Sequence, residues 1–391
     1  MASQVQSTTQ PQNAAKVSNS FACDLFRVLA GKASPTNIFF SPMSISSALA
    51  MTSIGARGET ATQMSQVLKH DLLQESVHPS FGRLSDLIYR PDAPYTLKAA
   101  NRLFGNNTLN LLPAFVEDTK KNYGAEMEKL DFIGNAEGSR RHINSWVEKQ
   151  TQERIKDLLA EGTINSLTRL VLVNAIYFKG DWARKFKEGA TTEQKFHISA
   201  NETVNVPMMR QNAKFNLAYD ESVKSLILEL PYIKDEVSMF IVLPHEVDGL
   251  AQVLNELSLK KIERWVSDAR NGGQVDVAVS LPKFTIQQAF DLNDVLKSMG
   301  MLDPFDENKA DFSGMTGEKD LFISKVVHKA FLEVNEEGSE AAAATAVVMQ
   351  FRMAVPRPRP FIADHPFLMF IHDNQSGAVL FMGQLCNPFS A

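Results

Sequence analysis

The side chains that usually carry out enzyme chemistry are sparse in this chain of 391 residues, and they are not grouped. Eight histidines are spread from His70 to His372, without the spacing of metal ligands, and two cysteines cannot form a four-thiolate zinc site. The chain also lacks the Gly-x-Ser-x-Gly, Gly-x-Gly-x-x-Gly, Gly-Lys-Ser/Thr and His-Glu-x-x-His motifs. These residues therefore supply no motif for an enzyme active site, a metal site or a cofactor site.

A different kind of chemistry is indicated by three arginines near the C-terminus, Arg352, Arg357 and Arg359. The bonds after the last two lead into Pro358 and Pro360, and serine proteases cleave such tertiary amides poorly. Only the Arg352–Met353 bond is open to cleavage. Trypsin-like proteases bind a guanidinium through a buried carboxylate in their specificity pocket. Arg352–Met353 is therefore a candidate cleavage site.

Upstream of this bond lies a run of small side chains whose surroundings favour two backbone conformations. The run consists of Glu336, Glu337, Gly338, Ser339, Glu340, Ala341, Ala342, Ala343, Ala344 and Thr345. Alanine favours helix. The run nevertheless lies between a strand-like stretch, 329–334, and a segment with three prolines, and β-branched residues follow it. We expect a loop in one state of the protein and a strand in another.

Five further segments, together with the run at 336–345, resemble conserved stretches of the serpin family, in the family's order. They are 37–46, 55–60, 171–182, 281–284 and 364–367. The resemblance implies an α+β fold in which three β-sheets are surrounded by about nine helices, with an exposed reactive-centre loop at about 336–361. We expect a polar N-terminal tail at 1–12, a single serpin domain at 13–391, and a monomer.

The resemblance also implies a suicide-substrate inhibitor of serine proteases and not an enzyme, and we expect no metal or cofactor. A serine protease attacks the loop and forms an acyl-enzyme, and the cleaved loop inserts into the central sheet before water releases the protease. Counting seventeen residues from Glu336, as in the family, gives Arg352–Met353 as the reactive bond, with Phe351 in the adjoining subsite. The expected partners are trypsin-like proteases, bound covalently. Two alternatives are a non-inhibitory carrier or chaperone, and an inhibitor of chymotrypsin- or elastase-like proteases through Phe351 or Met349.

The alternation of side chains along a strand bears on whether this hinge can insert. One face would present Ser339, Ala341, Ala343, Thr345 and Val347, which are small or β-branched and uncharged. The charge of Glu340 falls on the other face, and no proline lies between 336 and 352 to interrupt a ladder of hydrogen bonds. Because non-inhibitory serpins tend to have bulky, charged or proline residues here, we expect an inhibitory member.

Six other positions take roles only through the resemblance. Lys283 and Trp182 correspond to the breach at the top of the central sheet, where Lys283 would pair with Glu336. The remaining four correspond to the shutter, beneath the point where the sheet opens: His328, Asn174, Ser41 and Ser44.

Cys23 and Cys386 allow one disulfide, although two buried free thiols are the preferred interpretation. Three sequons, at Asn106, Asn201 and Asn374, are candidate glycosylation sites, and about as many are expected by chance.

Bulk composition limits the partners and the location. A net charge of -5 argues against nucleic acid and against anionic membranes, and no apolar stretch approaches 18 residues. A glycosaminoglycan is not indicated, because 81–95 has few basic residues and contains Asp86 and Asp92. The start of the chain lacks an apolar core and resembles a processed N-terminus. An Arg-directed loop suits circulating proteases, so we expect an extracellular protein, with the cytoplasm as the alternative.

Periodicity supplies the elements that must position these residues. Apolar residues at three- and four-residue spacing predict helices at 20–31, 44–54, 115–123, 142–159 and 291–299. Runs rich in β-formers predict strands at 168–178, 225–230, 238–243, 275–281, 321–334, 367–372 and 379–385. Helices early and strands late favour α+β with large mixed sheets over a regular βαβ array.

Overall fold

The computed structural model describes residues 2–31, 36–73, 75–337 and 357–389, and for residues 2–10 it describes the backbone alone. In these ranges the chain forms ten α-helices. They are α1 Ala2–Ala30, α2 Pro42–Ser53, α3 Gly58–Val67, α4 Val77–Ile88, α5 Pro113–Tyr123, α6 Ala136–Gln150, α7 Leu250–Glu256, α8 Leu259–Asn271, α9 Asn293–Ser298 and α10 Ser313–Thr316. Four short 3-10 turns lie at His70–Leu72, Glu188–Ala190, Ile233–Asp235 and Asp303–Phe305.

The same ranges contain fourteen strands. They are β1 Ile38–Phe40, β2 Tyr95–Asn106, β3 Glu128–Leu130, β4 Leu170–Gly180, β5 Thr192–Ser199, β6 Glu202–Asp220, β7 Ser225–Pro231, β8 Val237–Pro244, β9 Gln274–Pro282, β10 Phe284–Asp291, β11 Ile323–Val334, β12 Arg359–Ile362, β13 Phe367–Asp373 and β14 Val379–Leu385. The predicted α+β class is confirmed.

The described strands form two hydrogen-bonded sheets. One has five strands in the order β10-β11-β4-β2-β3. The other has nine, in the order β1-β14-β13-β8-β7-β6-β9-β12, with β5 also paired to β6. The prediction of three sheets differs in this count because β6, with 19 residues, is shared. Its beginning pairs with β5, its middle with β9 and its end with β7, so two expected sheets are joined into one.

The centre of the five-stranded sheet is a parallel pair, β4 and β11, flanked by antiparallel neighbours β2 and β10. The two central strands pair from Leu170 opposite Ile323 to Phe178 opposite Leu332. We call this pairing the seam. Residues 170–178 of β4 are all buried, as expected for a strand covered on both faces. Val171, Val173 and Ala175 face a core cluster that includes residues of α6, and the alternate residues face the main core.

Some boundaries differ from the sequence-based prediction for identifiable reasons. Helix α6 lies at Ala136–Gln150 instead of 142–159: the Asn135 side chain caps its start, and Gln152 and Glu153 have positive φ just beyond its end.

The sequence predicts a polar tail over 1–12, whereas residues 2–12 continue helix α1, and buried Ala14, Ala15 and Val17 extend its apolar face. The division into a tail and one domain stays a prediction.

Several elements were not predicted from the sequence. They are helices α3, α4, α7, α8 and α10, and strands β1, β2, β3, β5, β6, β10 and β12. Among the helices that the structure describes, none combines the length and the apolar character that a membrane crossing requires.

Candidate functional site

Residues 338–356 lie outside the described part of the chain. This segment contains most of the predicted hinge and all of the predicted reactive bond, namely Gly338, Ser339, Glu340, Ala341, Ala342, Ala343, Ala344, Thr345, Phe351, Arg352 and Met353. Both ends that hold the segment are described: Glu336 and Glu337 after β11, and Arg357 before β12. The candidate site therefore consists of these anchors and the seam beside them.

The first anchor is Glu336, whose side chain is only 8% exposed. Its carboxylate accepts hydrogen bonds from the Lys283 ammonium at 2.9 Å and from the Thr191 hydroxyl at 2.7 Å. Its backbone carbonyl accepts from the N–H of Phe186 at 3.0 Å. The structure thus brings Lys283 and Glu336 together as the sequence predicts, and adds two partners from the segment that leads from β4 to β5.

The electrostatics of Glu336 favour its charged form. Burial alone would raise the pKa of this carboxyl, but the hydrogen bonds from Lys283 and Thr191 outweigh burial and hold the pKa below its usual range. A buried carboxylate that lost these donors would be left uncompensated. Glu336 is therefore fixed at the end of β11 as long as Lys283 and Thr191 stay in place.

Trp182 reinforces the same corner of the sheet. Its indole N–H donates to the carbonyl oxygen of Asn335 at 3.0 Å, and its ring stacks on Tyr232, with centroids 4.5 Å apart and planes at 12°. The ring is almost fully buried. A rigid aromatic anchored on the nine-stranded sheet thus holds the backbone one residue before Glu336.

The second group of predicted residues crosses the middle of the seam. Asn174 of β4 lies directly opposite His328 of β11, and on its other side opposite Asn101 of β2. Three polar side chains therefore form a row across three adjacent strands. The row faces the start of helix α2, where Ser41 is the N-cap residue.

Hydrogen bonds join this row to the helix. His328 Nδ1 lies 2.5 Å from the Asn174 side-chain oxygen, and the Asn174 amide donates to the Ser44 hydroxyl at 2.7 Å and to the Asn101 side-chain oxygen at 2.5 Å. The Ser41 backbone N–H donates to His328 Nε2 at 3.1 Å. Ser41 also donates its hydroxyl to the Leu380 carbonyl at 2.6 Å. The network ties the two strands of the seam to α2 and to β14.

The network fixes the state of His328. Because Nε2 accepts from a backbone N–H, the proton lies on Nδ1 and is donated to Asn174. The imidazole is completely buried, and burial lowers its pKa to about 3. The ring is therefore neutral at physiological pH.

Asn101 is a member of the network that the sequence analysis missed. Had strand β2 been predicted, the alternation of its side chains would have marked Asn101 as a polar residue in the middle of a strand. Its place opposite Asn174 depends on a pairing 73 residues apart, which no local pattern encodes.

The remaining candidate residues lie elsewhere. Cys23 and Cys386 are both buried free thiols, as predicted, and burial raises the pKa of each to about 12. Among the described residues no group of three or more histidine, cysteine, aspartate or glutamate side chains is arranged to hold a metal ion.

The three sequons differ in accessibility. Asn106 is buried and donates to the Thr108 hydroxyl at 2.7 Å. The Asn374 side chain donates to Ser238 and accepts from Arg270. Asn201 is exposed, in the turn between β5 and β6. The geometry favours Asn201 among the three, and its glycosylation stays a prediction.

The buried neutral state of His328 predicts a pH dependence. In the unfolded chain the pKa is about 6.5, so between pH 6.5 and about 3 the unfolded state binds a proton that the folded state excludes. The contribution of His328 to the free energy of unfolding is therefore fully present above pH 6.5 and decreases as the pH falls below that value. We expect His328→Gln to flatten this dependence of the thermal midpoint between pH 7.5 and 5.

The control is His245→Gln, because the His245 side chain is 75% exposed and should leave the slope unchanged. Buried His70, whose pKa falls to about 4, also contributes to the pH dependence of the wild type. The test therefore compares the slope of thermal midpoint against pH in each variant with the slope in the wild type. Equal slopes for His328→Gln and the wild type would contradict the assignment.

Comparison with known proteins gives a consistent result over nearly the full length. The family model described as Serpin (serine protease inhibitor) matches residues 16–388. Leukocyte elastase inhibitor of Homo sapiens is 46% identical over 372 residues, covering 94% of this chain and 97% of that protein. The protein of the same name from Xenopus tropicalis is 44% identical over 382 residues, covering 96% and 100%.

Solved structures agree with this assignment. Uncleaved ovalbumin matches with a TM-score of 0.88 at 34% identity, over 96% of this chain and 100% of that chain. A structure described as a tumour-suppressing serpin matches with a TM-score of 0.88 at 31% identity, again over 96% and 100%. The predicted serpin fold is confirmed, and this chain belongs to the serpin family of protease inhibitors.

Proposed function

We propose that this chain inhibits serine proteases as a suicide substrate, by inserting its cleaved loop into the five-stranded sheet. The observation that carries the proposal is the seam. Strands β4 and β11 are parallel neighbours, and the chain leaves β11 directly into the small-residue hinge. A loop that turns back from β11 runs antiparallel to both strands and can pair with each of them.

Insertion exchanges one kind of pairing for another. It replaces one parallel pair with two antiparallel pairs, and antiparallel pairing is slightly more stable per residue. The hinge residues facing each side alternate. Ser339, Ala341 and Ala343 are small and uncharged, as the inward face requires, and the charge of Glu340 falls on the opposite face. The fourteen residues 339–352 would span about 46 Å when extended. This length supports transport of an attached protease along the whole seam.

Two sets of contacts hold the seam closed before cleavage. Lys283, Thr191 and Trp182 hold its upper end at 335–336, and the His328–Asn174 hydrogen bond crosses its middle. Each must rearrange for a strand to enter. The breach and shutter roles inferred from the resemblance are therefore part of the proposal.

The proposed reactive bond is Arg352–Met353, and the proposed targets are trypsin-like. Support comes from the spacing of seventeen residues from Glu336 and from the prolines that protect the bonds after Arg357 and Arg359. A guanidinium matches the carboxylate of a trypsin-like specificity pocket.

A second candidate target class rests on the names of the relatives. Proteins called leukocyte elastase inhibitor are 46% identical to this chain, which favours an elastase- or chymotrypsin-like target. Arg352 does not suit the small pocket of elastase or the hydrophobic pocket of chymotrypsin. Such an enzyme would cleave after Phe351 or Met349 instead. A non-inhibitory role as carrier or chaperone is disfavoured by the uncharged, proline-free inward face of the hinge.

The location of the protein also stays a proposal. The Arg-directed loop suits circulating proteases and favours secretion. The buried free thiols Cys23 and Cys386 form no disulfide and are compatible with a reducing compartment, which favours the cytoplasmic alternative.

The first test separates the two target classes. We expect Arg352→Ala to slow trypsin inhibition by about a thousandfold or more, because the pocket carboxylate is left unpaired. The thermal midpoint should not change. Arg357→Ala is the control and should inhibit normally. The mass of the released C-terminal peptide identifies the bond: a peptide beginning at Met353 supports Arg352, and one beginning at Arg352 supports Phe351. Fast trypsin inhibition by Arg352→Ala would contradict the assignment.

The second test concerns the anchor. Glu336→Lys places a cation against Lys283 in a buried corner, so we expect premature opening of the seam and polymers formed by insertion between molecules. Polymer on native gels after mild heating should appear at a lower temperature than for the wild type. Glu188→Lys is the control, because Glu188 is exposed and makes no ion pair in the described part of the chain. Unchanged polymerisation of Glu336→Lys would count against the role of the anchor.

The third test concerns insertion itself. Ser339→Arg would force a cation into the closing sheet at a cost of several kcal/mol, so water should release the acyl-enzyme first. We expect this variant to be cleaved at the normal bond but to behave as a substrate. Glu340→Arg, on the opposite face, is the control and should still form an SDS-stable complex. The wild type, once cleaved in its loop, should melt well above the intact protein. Normal trapping by Ser339→Arg, or no rise in melting temperature, would refute strand insertion.

A further inference from the structure

A groove of about 710 Å³ lies on the outer face of the nine-stranded sheet, beside both ends of the segment 338–356. Its floor is formed by three paired strands. Arg210 of β6 lies opposite Ser280 of β9, which lies opposite Ile362 of β12. The next row consists of Asn212, Ala278 and Pro360. Residues of the segment between β4 and β5 form one wall.

The charge of the groove differs from that of the whole chain. Its lining includes Lys185, Lys187 and Arg210 and contains no carboxylate, although the net charge of the protein is -5. Lys187 and Arg210 are exposed and make no ion pair within the described residues. Ile362 is 49% exposed on the floor. The surface is therefore cationic with an apolar strip, and suits an acidic segment that carries an apolar side chain.

The groove is placed where a docked protease must come. The wall segment also holds the start of the loop, because Phe186 and Thr191 both donate to Glu336. The floor strand β12 follows the loop's other end. Arg352 is five residues before Arg357, so the two are at most about 17 Å apart. A protease domain of about 230 residues has a radius of gyration of about 17 Å. An enzyme bound at Arg352–Met353 therefore overhangs this face.

We propose that the groove formed by Lys187, Arg210 and Ile362 is an exosite that contacts an acidic surface loop of the protease docked at the reactive bond. This proposal rests on the proposed function. Cations facing an acidic patch raise the association rate through electrostatic steering, and this effect decreases with salt. The loop residue selects the class of enzyme, and the groove selects among enzymes that share one specificity pocket.

A sulfated polysaccharide is the competing occupant. Its sulfates would pair with the cations, but it would gain nothing from Pro360 and Ile362. The apolar strip and the closeness of the reactive bond favour the protein partner.

The test uses two enzymes with the same arginine-binding pocket and opposite surface charge, anionic trypsin and cationic trypsin. Association rates are measured with the wild type and with Lys187→Glu/Arg210→Glu, at low and high salt. We expect the variant to react about tenfold more slowly with anionic trypsin at low salt. The stoichiometry of inhibition should stay unchanged, the loss should shrink at high salt, and cationic trypsin should show no loss.

The matched control is Arg83→Glu/Lys121→Glu. These two residues also make no ion pair in the described part of the chain, and they lie on α4 and α5, helices that pack on each other and on α2. The change in net charge is the same, so the control separates the groove from bulk charge. It should alter the rates by less than about twofold.

Several outcomes would overturn the exosite. One is an equal loss of association rate in the groove variant and the control, and another is no loss of association rate in the groove variant. A third is weaker retention on heparin without any change in association rate, which would assign the groove to a polysaccharide. These failures are distinguishable from failure of the proposed function. If the proposed function fails, the wild type forms no SDS-stable complex with either trypsin, and the exosite proposal is then refuted as well.

Discussion

The structure depends on the parallel pairing of β4 and β11 at the centre of the five-stranded sheet, which lies next to the chain segment that we propose enters it. Strand β4 is buried on both faces along residues 170–178, so its backbone groups must pair with those of the neighbouring strands. The segment that follows β11 carries side chains small enough to enter between β4 and β11. In the proposed mechanism the closed and the inserted sheets would both satisfy the backbone, and the inserted form would have one more strand. The closed form would then be held by its barrier to opening.

For the proposed insertion, the barrier would be concentrated in polar contacts that have to break together. Along most of β4 the side chains at the seam are apolar. Polar side-chain contacts cross the seam at its start, where the Arg169 N–H donates to Ser324, and in its middle, at the His328–Asn174 bond. The contacts of Glu336 add to these at the end. A buried donor or acceptor that loses its partner costs more than the bond contributes while it is formed. Under the proposed mechanism these few bonds would resist partial opening, and a complete inserted strand would compensate for their loss.

How far the sequence predicts this arrangement depends on the range of each interaction. Strands β4 and β11 are long apolar runs and were predicted within about two residues, and Lys283, Trp182, Asn174 and His328 were identified because their local segments resemble those of the family. Asn101 was missed, because its role is set by the register of β2 against β4. The groove was missed for the same reason: Arg210, Ser280 and Ile362 are far apart in sequence and meet only through two strand pairings. Helix α8 was also missed, but for a different reason: its signal is local, because buried Ile262, Trp265 and Ala269 already show helical spacing.

The two anchors of the loop would connect the proposed recognition to the proposed insertion. Glu336 is bound by Lys283 from the end of β9 and by Thr191 from the segment before β5, and both elements also contribute to the groove proposed as the exosite. At the other end, β12 pairs with β9 at the edge of the same sheet. Cleavage at Arg352–Met353 would leave the two halves of the loop on different anchors. The half that carries the acyl-enzyme remains on β11, beside the seam, and the other half remains on β12. In the proposed mechanism insertion would therefore proceed from the Glu336 end while the nine-stranded sheet stays intact. The strand that moves and the groove proposed to recognise the protease would not have to change together.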